Sequence, residues 1–337
     1  MSLLLFLVIV LLLFHLAWYV FSFYKTHHAV PDETIIEQFR ADNQDMLNLK
    51  AVMGLLEENS LEANGVRLHL DILANGRGLP TVVFIPGTSV YAQTYMNFLH
   101  ALSMTGFNVV AFDPRGHGRS SGPRGDYTIG EIAADALAVA AYARQRFGGK
   151  VALVGSSQGG IAAFYAAAQD DSLAAAVCHN LADLNGRENQ VLSKIRVPYW
   201  MTPLAQLTMG IYRRFVIPIA LYLDLKEEYL ENGLSAADYI QQDPLCVTWI
   251  TWRALNSLLK TPLAKPVEAI KVPIMVVHSG KDHIFPQSYV EEIYQRLTCR
   301  KHFLLLKNRE HLVMINRVQE VTPEIAAWLQ EMVEPTA

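Results

Sequence analysis

Val151-Ala152-Leu153-Val154-Gly155-Ser156-Ser157-Gln158-Gly159-Gly160 decides how this chain is read. Val151 to Val154 are apolar and mostly branched, the pattern of a short buried strand. A Gly-x-Ser-x-Gly turn follows, and Ile161 to Ala168 (Ile-Ala-Ala-Phe-Tyr-Ala-Ala-Ala) reads as a buried helix. Strand, sharp turn and helix together make a nucleophile elbow. The glycines have a chemical reason. The central serine must adopt a strained backbone conformation that lifts its hydroxyl off the sheet edge, and Gly155 and Gly159 keep strand and helix from colliding. Ser157 is that central residue, which leaves Ser156 a bystander. The start of the helix supplies a free N–H, from Gln158, where an oxyanion can form.

Upstream of the elbow, Asn64-Gly65 signals a hairpin turn, followed by Val66, Leu68, Leu70 and Ile72 at period two. Thr81 to Ile85 is a fully apolar strand running into Pro86-Gly87-Thr88-Ser89. A helix over about 91–104 leads to a buried strand, Asn108 to Phe112, and Ile129 to Phe147 is an alanine-rich helix. Downstream, Ala174 to His179 is another strand, after which the alternation stops. Residues 181–265 carry helical segments of a different kind. Within them Pro198 to Leu225 is strongly apolar, with Arg213 and Arg214 its only charges before Asp224. We expect a helical cap inserted over the site. Strand and helix then alternate again: Val272 to His278, Tyr289 to Leu297, Lys301 to Leu306 and Val318 to Met332. This pattern builds an α/β fold, a mostly parallel central sheet flanked by helices.

A serine hydroxyl is a weak nucleophile at neutral pH, so it needs a base, and the base needs an orienting acid. The acid candidate is Asp282 in His278-Ser279-Gly280-Lys281-Asp282, just past a buried strand, although an aspartate there also suits a turn. The base candidate is His311 in Asn308-Arg309-Glu310-His311-Leu312, one of 11 histidines and unremarkable alone. Their order makes them persuasive. Ser157, Asp282 and His311 follow one another, each at the C-terminal end of a strand. Glu310 is an alternative acid, and His283 a candidate pocket residue. His117 sits in a glycine-rich loop, where a structural role is the better reading. Trp200, Trp249 and Trp252 lie in the cap, by default as packing residues and alternatively as an acyl pocket.

From about residue 60 to its end the chain resembles the α/β-hydrolases. Phe112-Asp113-Pro114-Arg115-Gly116-His117-Gly118-Arg119-Ser120-Ser121-Gly122-Pro123-Arg124-Gly125 is similar to the monoacylglycerol lipase and lysophospholipase (serine aminopeptidase S33-like) group. Asp243-Pro244-Leu245 and Ile270-Lys271-Val272-Pro273 match the same group. The resemblance implies Ser157 as nucleophile, Asp282 as acid and His311 as base, with an oxyanion hole from the backbone N–H groups of Thr88 and Gln158. Two departures stand out. Pro86-Gly87-Thr88 replaces the His-Gly that usually precedes the oxyanion residue, and Ser156 and Gln158 replace histidine and methionine in the elbow.

Leu3 to Tyr24 is almost wholly apolar and, as a helix, measures about 33 Å, enough to cross a hydrocarbon core of about 30 Å. No basic residue precedes it, and aromatic residues from Trp18 to Tyr24 occupy the place of a cleavage site. We expect a retained anchor over 1–28, an amphipathic helical linker over 29–59 and a catalytic domain over 60–337. The first basic residue, Lys25, lies C-terminal to the anchor, which favours a cytoplasmic catalytic domain. A net charge of −4 gives no reason to expect nucleic acid. Three widely spaced cysteines, Cys178, Cys246 and Cys299, form neither a disulfide framework nor a zinc motif.

The expectation is a membrane-anchored serine hydrolase of lipid-like carboxylic esters, with a bilayer and an ester substrate as partners and no metal or cofactor. Thioesterase, amidase or peptidase, and carbon–carbon bond hydrolase activities are alternatives on the same triad. A catalytically silent scaffold is the alternative from another class.

Overall fold

The computed structural model describes residues 3–27, 31–185, 207–208 and 210–333. Of the apolar cap stretch, residues 198–206 and 209, including Trp200, lie outside the described residues.

Helix α1 (Leu3–His27) leads the chain and α2 (Glu33–Asp42) follows, its first turn capped by the Asp32 carboxylate on the Thr34 N–H at 2.8 Å. The linker is less helical than expected. After α2 the chain runs in turns to Leu55, with Asn48 (φ 53°) and Gly54 (φ 78°) in the left-handed region that ends helices. From Leu56 it is already strand. β1 (Leu56–Ala63) pairs antiparallel with β2 (Val66–Leu73) around Asn64-Gly65, both at positive φ as the favoured hairpin turn requires.

β3 (Thr81–Ile85), α3 (Met96–Ser103), β4 (Asn108–Phe112), α4 (Ile129–Phe147), β5 (Val151–Ser156), α5 (Gln158–Ala167) and β6 (Ala175–His179) come next. The cap contributes β7 (Val216–Pro218), α6 (Ala236–Gln242), β8 (Trp249–Thr251) and α7 (Trp252–Leu259). It is not purely helical: β7 and β8 form a short antiparallel ladder, as suits the β-branched Val216, Ile217, Ile250 and Thr251. β9 (Ile274–Ser279), α8 (Gln287–Arg296), β10 (Lys301–Leu306), α9 (Val313–Asn316) and α10 (Val318–Val333) complete the described chain.

Among the described residues the main sheet runs β1-β2-β4-β3-β5-β6-β9-β10, parallel from β4 onward. Its parallel inner strands are mostly apolar, with polar residues at their ends, because both faces are covered. Val83, Ile85 and Leu153 face the core built with α4 and α5. Val82, Phe84 and Val154 face the one built with α3 and α10. The crossovers deliver the ends of β5, β9 and β10 to one sheet edge, where the site forms.

Two further features frame that edge. In the loop after β4, Arg115 grips the fully buried Asp135 of α4 through two hydrogen bonds of 2.7 Å each. The C-terminal half of α1 is seated on the domain rather than held away from it. The Ser22 hydroxyl oxygen accepts the Val216 N–H at 3.1 Å, and the Thr26 carbonyl accepts the Arg124 N–H at 2.7 Å.

Candidate active site

Ser157 caps α5 at φ 54°, ψ −118°, a region that side chains other than glycine rarely enter. Its N–H donates to the His179 carbonyl at 2.8 Å, and its own carbonyl accepts the N–H groups of Gly160 and Ile161. These bonds hold the strain. The flanking glycines are required by space: a Cβ on Gly155 would lie 2.0 Å from the Gly159 carbonyl oxygen, and one on Gly159 the same distance from that of Ile85.

Gln158 begins α5 with its side chain buried, its amide oxygen accepting Tyr127 Oη at 2.9 Å and Thr88 Oγ1 at 3.2 Å. The glutamine that departs from the usual elbow thus ties the helix start to the Gly87-Thr88 turn. The backbone N–H groups of Thr88 and Gln158 have no acceptor among the described residues. Both residues line the same pocket as Ser157. A pair of free N–H groups beside a strained serine is what a developing oxyanion needs.

Asp282 lies just past β9, its side chain without solvent exposure, and its carboxylate is saturated. Oδ2 accepts His311 Nδ1 at 2.7 Å and Asn180 Nδ2 at 2.8 Å, while Oδ1 accepts the N–H groups of Ile284 (2.8 Å) and Phe285 (2.9 Å). Burial alone would raise its pKa. The adjacent His311 and these hydrogen bonds outweigh burial and hold the carboxyl well below the usual range. His311 is pushed the other way: burial would lower its pKa, but the charge and hydrogen bond of Asp282, with Glu228 behind, raise it. Its ring stacks on Phe285 with centroids 5.8 Å apart and lies 5.0 Å from that of His179. His311 and Ser157 line one pocket.

The other candidates fall away from the reacting centre. Glu310 and His283 are exposed, and among the described residues Asp282 alone bonds the His311 ring. His117 is fully buried with its pKa depressed to about 4 by burial, and its Nδ1 lies 3.0 Å from the Arg115 carbonyl, so it supports the loop. Trp249 packs on Phe21 of α1 and Trp252 on Tyr212. The walls beside Ser157 are built instead from Leu223, Leu255, Leu258, Leu259, Ile284 and Phe285.

Sequence reasoning missed Glu228. This cap carboxylate is 2% exposed; its Oε2 accepts the His311 backbone N–H at 3.1 Å, and its Oε1 has no partner among the described residues. Burial raises its pKa. Nothing in Asp224-Leu225-Lys226-Glu227-Glu228 distinguishes it from a solvated run of charges. Asn180, which fixes Asp282 and meets His278 Nδ1 at 2.5 Å, was equally invisible.

Among the described residues, two clusters bring three potential metal donors within 4.8 Å of one another: His179, Asp282 and His311, and Glu58, His69 and Asp71. In the first, the Asp282 oxygens are already taken by hydrogen bonds. In the second, Arg40 and Arg119 already neutralise Glu58. Protein groups therefore supply the countercharge in both.

The chain matches the family model described as serine aminopeptidase, S33, over residues 79–317. It is similar to serine hydrolase BPHL of Homo sapiens, 36% identical over 252 residues, which are 74% of this chain and 78% of that protein. Among solved structures it resembles a monoacylglycerol lipase of Paleococcus ferrophilus, at TM-score 0.63 and 23% identity over 79% of this chain and 99% of that one. It also resembles a soluble variant of monoglyceride lipase from Saccharomyces cerevisiae in complex with a substrate analog. There the TM-score is 0.65 and the identity 15%, over 83% of this chain and 97% of the other. At these identities the structural likenesses speak to the fold.

Proposed function

Because the chain belongs to the serine aminopeptidase S33 family and has the α/β-hydrolase fold, we propose that it is a membrane-anchored serine hydrolase of monoacylglycerol- or lysophospholipid-like esters. Ser157 is the nucleophile, His311 the base and Asp282 the orienting acid. His311 takes the hydroxyl proton as Ser157 Oγ attacks the ester carbonyl. The oxyanion is received by the N–H groups of Thr88 and Gln158. The intermediate collapses, the carbon–oxygen bond to the alcohol breaks, and the alcohol leaves with the proton held by His311. Water, deprotonated by the same imidazole, then releases the acid. Asp282 keeps the Nδ1 proton in place and stabilises the imidazolium.

One observation carries this reading: Ser157 stands between two apolar pockets, and the wall of one also holds the Asp282-paired His311. Neither pocket wall includes a carboxylate among the described residues. An aminopeptidase would need an anion there to receive the substrate's ammonium group, so the walls favour an acyl ester. Leu5–His27 is long and apolar enough to cross a membrane, which supports the anchor over 1–28 ahead of the linker (29–59) and catalytic domain (60–337). Lys25 supports a cytoplasmic domain, which protease protection of sealed vesicles tests.

A fluorophosphonate probe should label the wild type and not Ser157→Ala. With straight-chain esters below their micelle-forming concentrations, kcat/KM should climb with acyl length, since each buried methylene contributes about 0.8 kcal/mol. Preference for acetyl over dodecanoyl esters would sink the lipid reading.

A further inference from the structure

Composition alone puts the membrane boundary of α1 near Tyr24 and Lys25, where the apolar run ends. The contacts of the helix put it elsewhere. Leu5 to Phe14 are exposed. From His15 onward the helix is seated on the domain: His15 packs on Tyr212 (ring centroids 5.5 Å), Phe21 on Trp249 (5.2 Å), Ser22 bonds Val216 and Thr26 bonds Arg124. From His15 to Thr26 that is about 17 Å of helix. Ser22 is 1% exposed, so protein rather than lipid covers this face.

The cap supplies a second marker. Val216 meets the helix at Ser22 and Tyr212 meets it at His15, so this segment, followed backwards, climbs toward the N-terminal end. Ahead of Tyr212 come Leu207 and Ile211, 60% and 66% exposed. Between Tyr212 and Val216 come Arg213 and Arg214, exposed and without an ion pair among the described residues. An apolar tip, two exposed cations and then a buried strand form the sequence of environments from acyl chain through phosphate to protein interior. Tyr212 and Phe215, on either side of the arginines, both pack on His15 (ring centroids 5.5 and 6.4 Å apart), and Trp18 and Tyr19 follow His15 within about one turn of α1, where aromatic residues suit a headgroup zone.

We propose that the bilayer surface crosses α1 at Trp18–Tyr19 and that the cap edge carrying Leu207, Ile211, Arg213 and Arg214 lies in the same surface. Leu207 and Ile211 enter the acyl chains, and Arg213 and Arg214 contact lipid phosphates. The inference rests on the membrane-anchored reading above and adds a depth and a second contact to it. Leu3 to Trp18 measures about 24 Å, a span that a bilayer core of about 30 Å meets by thinning locally. Placed lower, at Tyr24, the boundary would draw both guanidinium groups into hydrocarbon, where an isolated charge is strongly disfavoured. The seat also bears on catalysis. Tyr212 packs on Trp252 (ring centroids 6.4 Å), the first residue of α7, whose Leu255, Leu258 and Leu259 line the pocket beside Ser157. Bilayer contact and acyl pocket are thus opposite sides of one small piece of the cap.

The test uses the full chain, with Cys299→Ser, in vesicles of phosphatidylcholine and phosphatidylglycerol. An environment-sensitive thiol label is placed at Ile211→Cys, Tyr24→Cys or Met104→Cys, with turnover of a soluble acetyl ester as the check of folding. We expect the label at 211 to be quenched by brominated acyl chains and shielded from iodide, and the labels at 24 and 104 to behave the opposite way. Lipid quenching at 24 overturns the boundary, and an aqueous label at 211 overturns the cap contact. Arg213→Glu with Arg214→Glu should lower the ratio of vesicle-borne to soluble ester hydrolysis at least about fivefold, and an unchanged ratio removes the phosphate contact. A lipid-quenched label at 211 in a protein that cleaves no lipid ester would leave the seat standing and sink the substrate reading instead.

Discussion

At the scale of single residues, the site is a set of constraints on one imidazole. Asp282 holds its Nδ1 side, Phe285 its face and Glu228 its backbone N–H. In the proposed mechanism Ser157 and His311 act as a unit, so Ser157→Ala and His311→Ala should each remove most activity and the double variant little more. Asp282→Asn should leave the fold intact and cost orders of magnitude in kcat, whereas Glu310→Gln should cost nothing. The reverse pattern in steady-state kinetics would move the acid to Glu310. The base must be neutral to take a proton, and the pKa of His311 is raised above its ordinary 6.5. The acid limb of kcat/KM should therefore lie above pH 6.5. Glu228→Gln keeps an acceptor for the backbone N–H and removes the charge, so that limb should shift to lower pH with a lower plateau kcat. An unmoved pH profile would show that Glu228 only packs. Asp282, His179, His278 and His283 also face this group of side chains and stay in place in that comparison.

At the scale of elements, each crossover brings one functional group to the sheet edge, and the loops hold those groups in register. The loop after β4 shows how. Its Arg115 is half of a buried pair with Asp135, which also accepts Asn64 Nδ2 at 2.9 Å, so hairpin, loop and α4 are joined at one carboxylate. Asp135→Asn leaves a buried guanidinium short of its partner and should lower stability by about 3 kcal/mol in denaturant titrations. The loop reaches the elbow through Tyr127, so turnover should fall together with stability. A variant as stable as wild type would mean that Glu131, 3.4 Å from Arg115, takes over the pairing.

At the scale of the whole molecule, the C-terminal half of α1 belongs to the folded domain. Removing residues 1–28 takes away the Phe21 ring and the Ser22 and Thr26 acceptors, and uncovers Trp249 and the Val216 N–H. Removing residues 1–14 takes away the exposed stretch Leu5 to Phe14 and leaves the seated residues from His15 onward. The shorter truncation should keep the wild-type melting temperature in detergent. The longer one should lower it by several degrees, since a loss of about 1–2 kcal/mol moves a domain of this size by roughly that much. Equal melting temperatures would show the seat to be energetically idle.

The alternation of apolar runs with helical spacing was enough to find the sheet, its parallel sense and the elbow, because burial on both faces leaves a largely apolar signature in the parallel inner strands. The glycines around Ser157 were legible for a similar reason: a close approach excludes side chains, and that exclusion is written in residue type. Asp282 and His311 stood out through their order and their place after strands, and the fold brings their side chains to 2.7 Å. What pairs across the sequence was not. Leu56 to Ala63 carries Glu57, Glu58 and Glu62 and has no strand signature, yet it is strand because β2 offers it an edge. Glu228 looks like its exposed neighbour Glu227 until the cap folds over His311. Ser22 and Thr26 look like ordinary residues of a membrane helix until Val216 and Arg124 reach them. In each case the deciding contact joins residues far apart in the chain, and only the tertiary structure supplies the partner that turns a polar residue into a buried one.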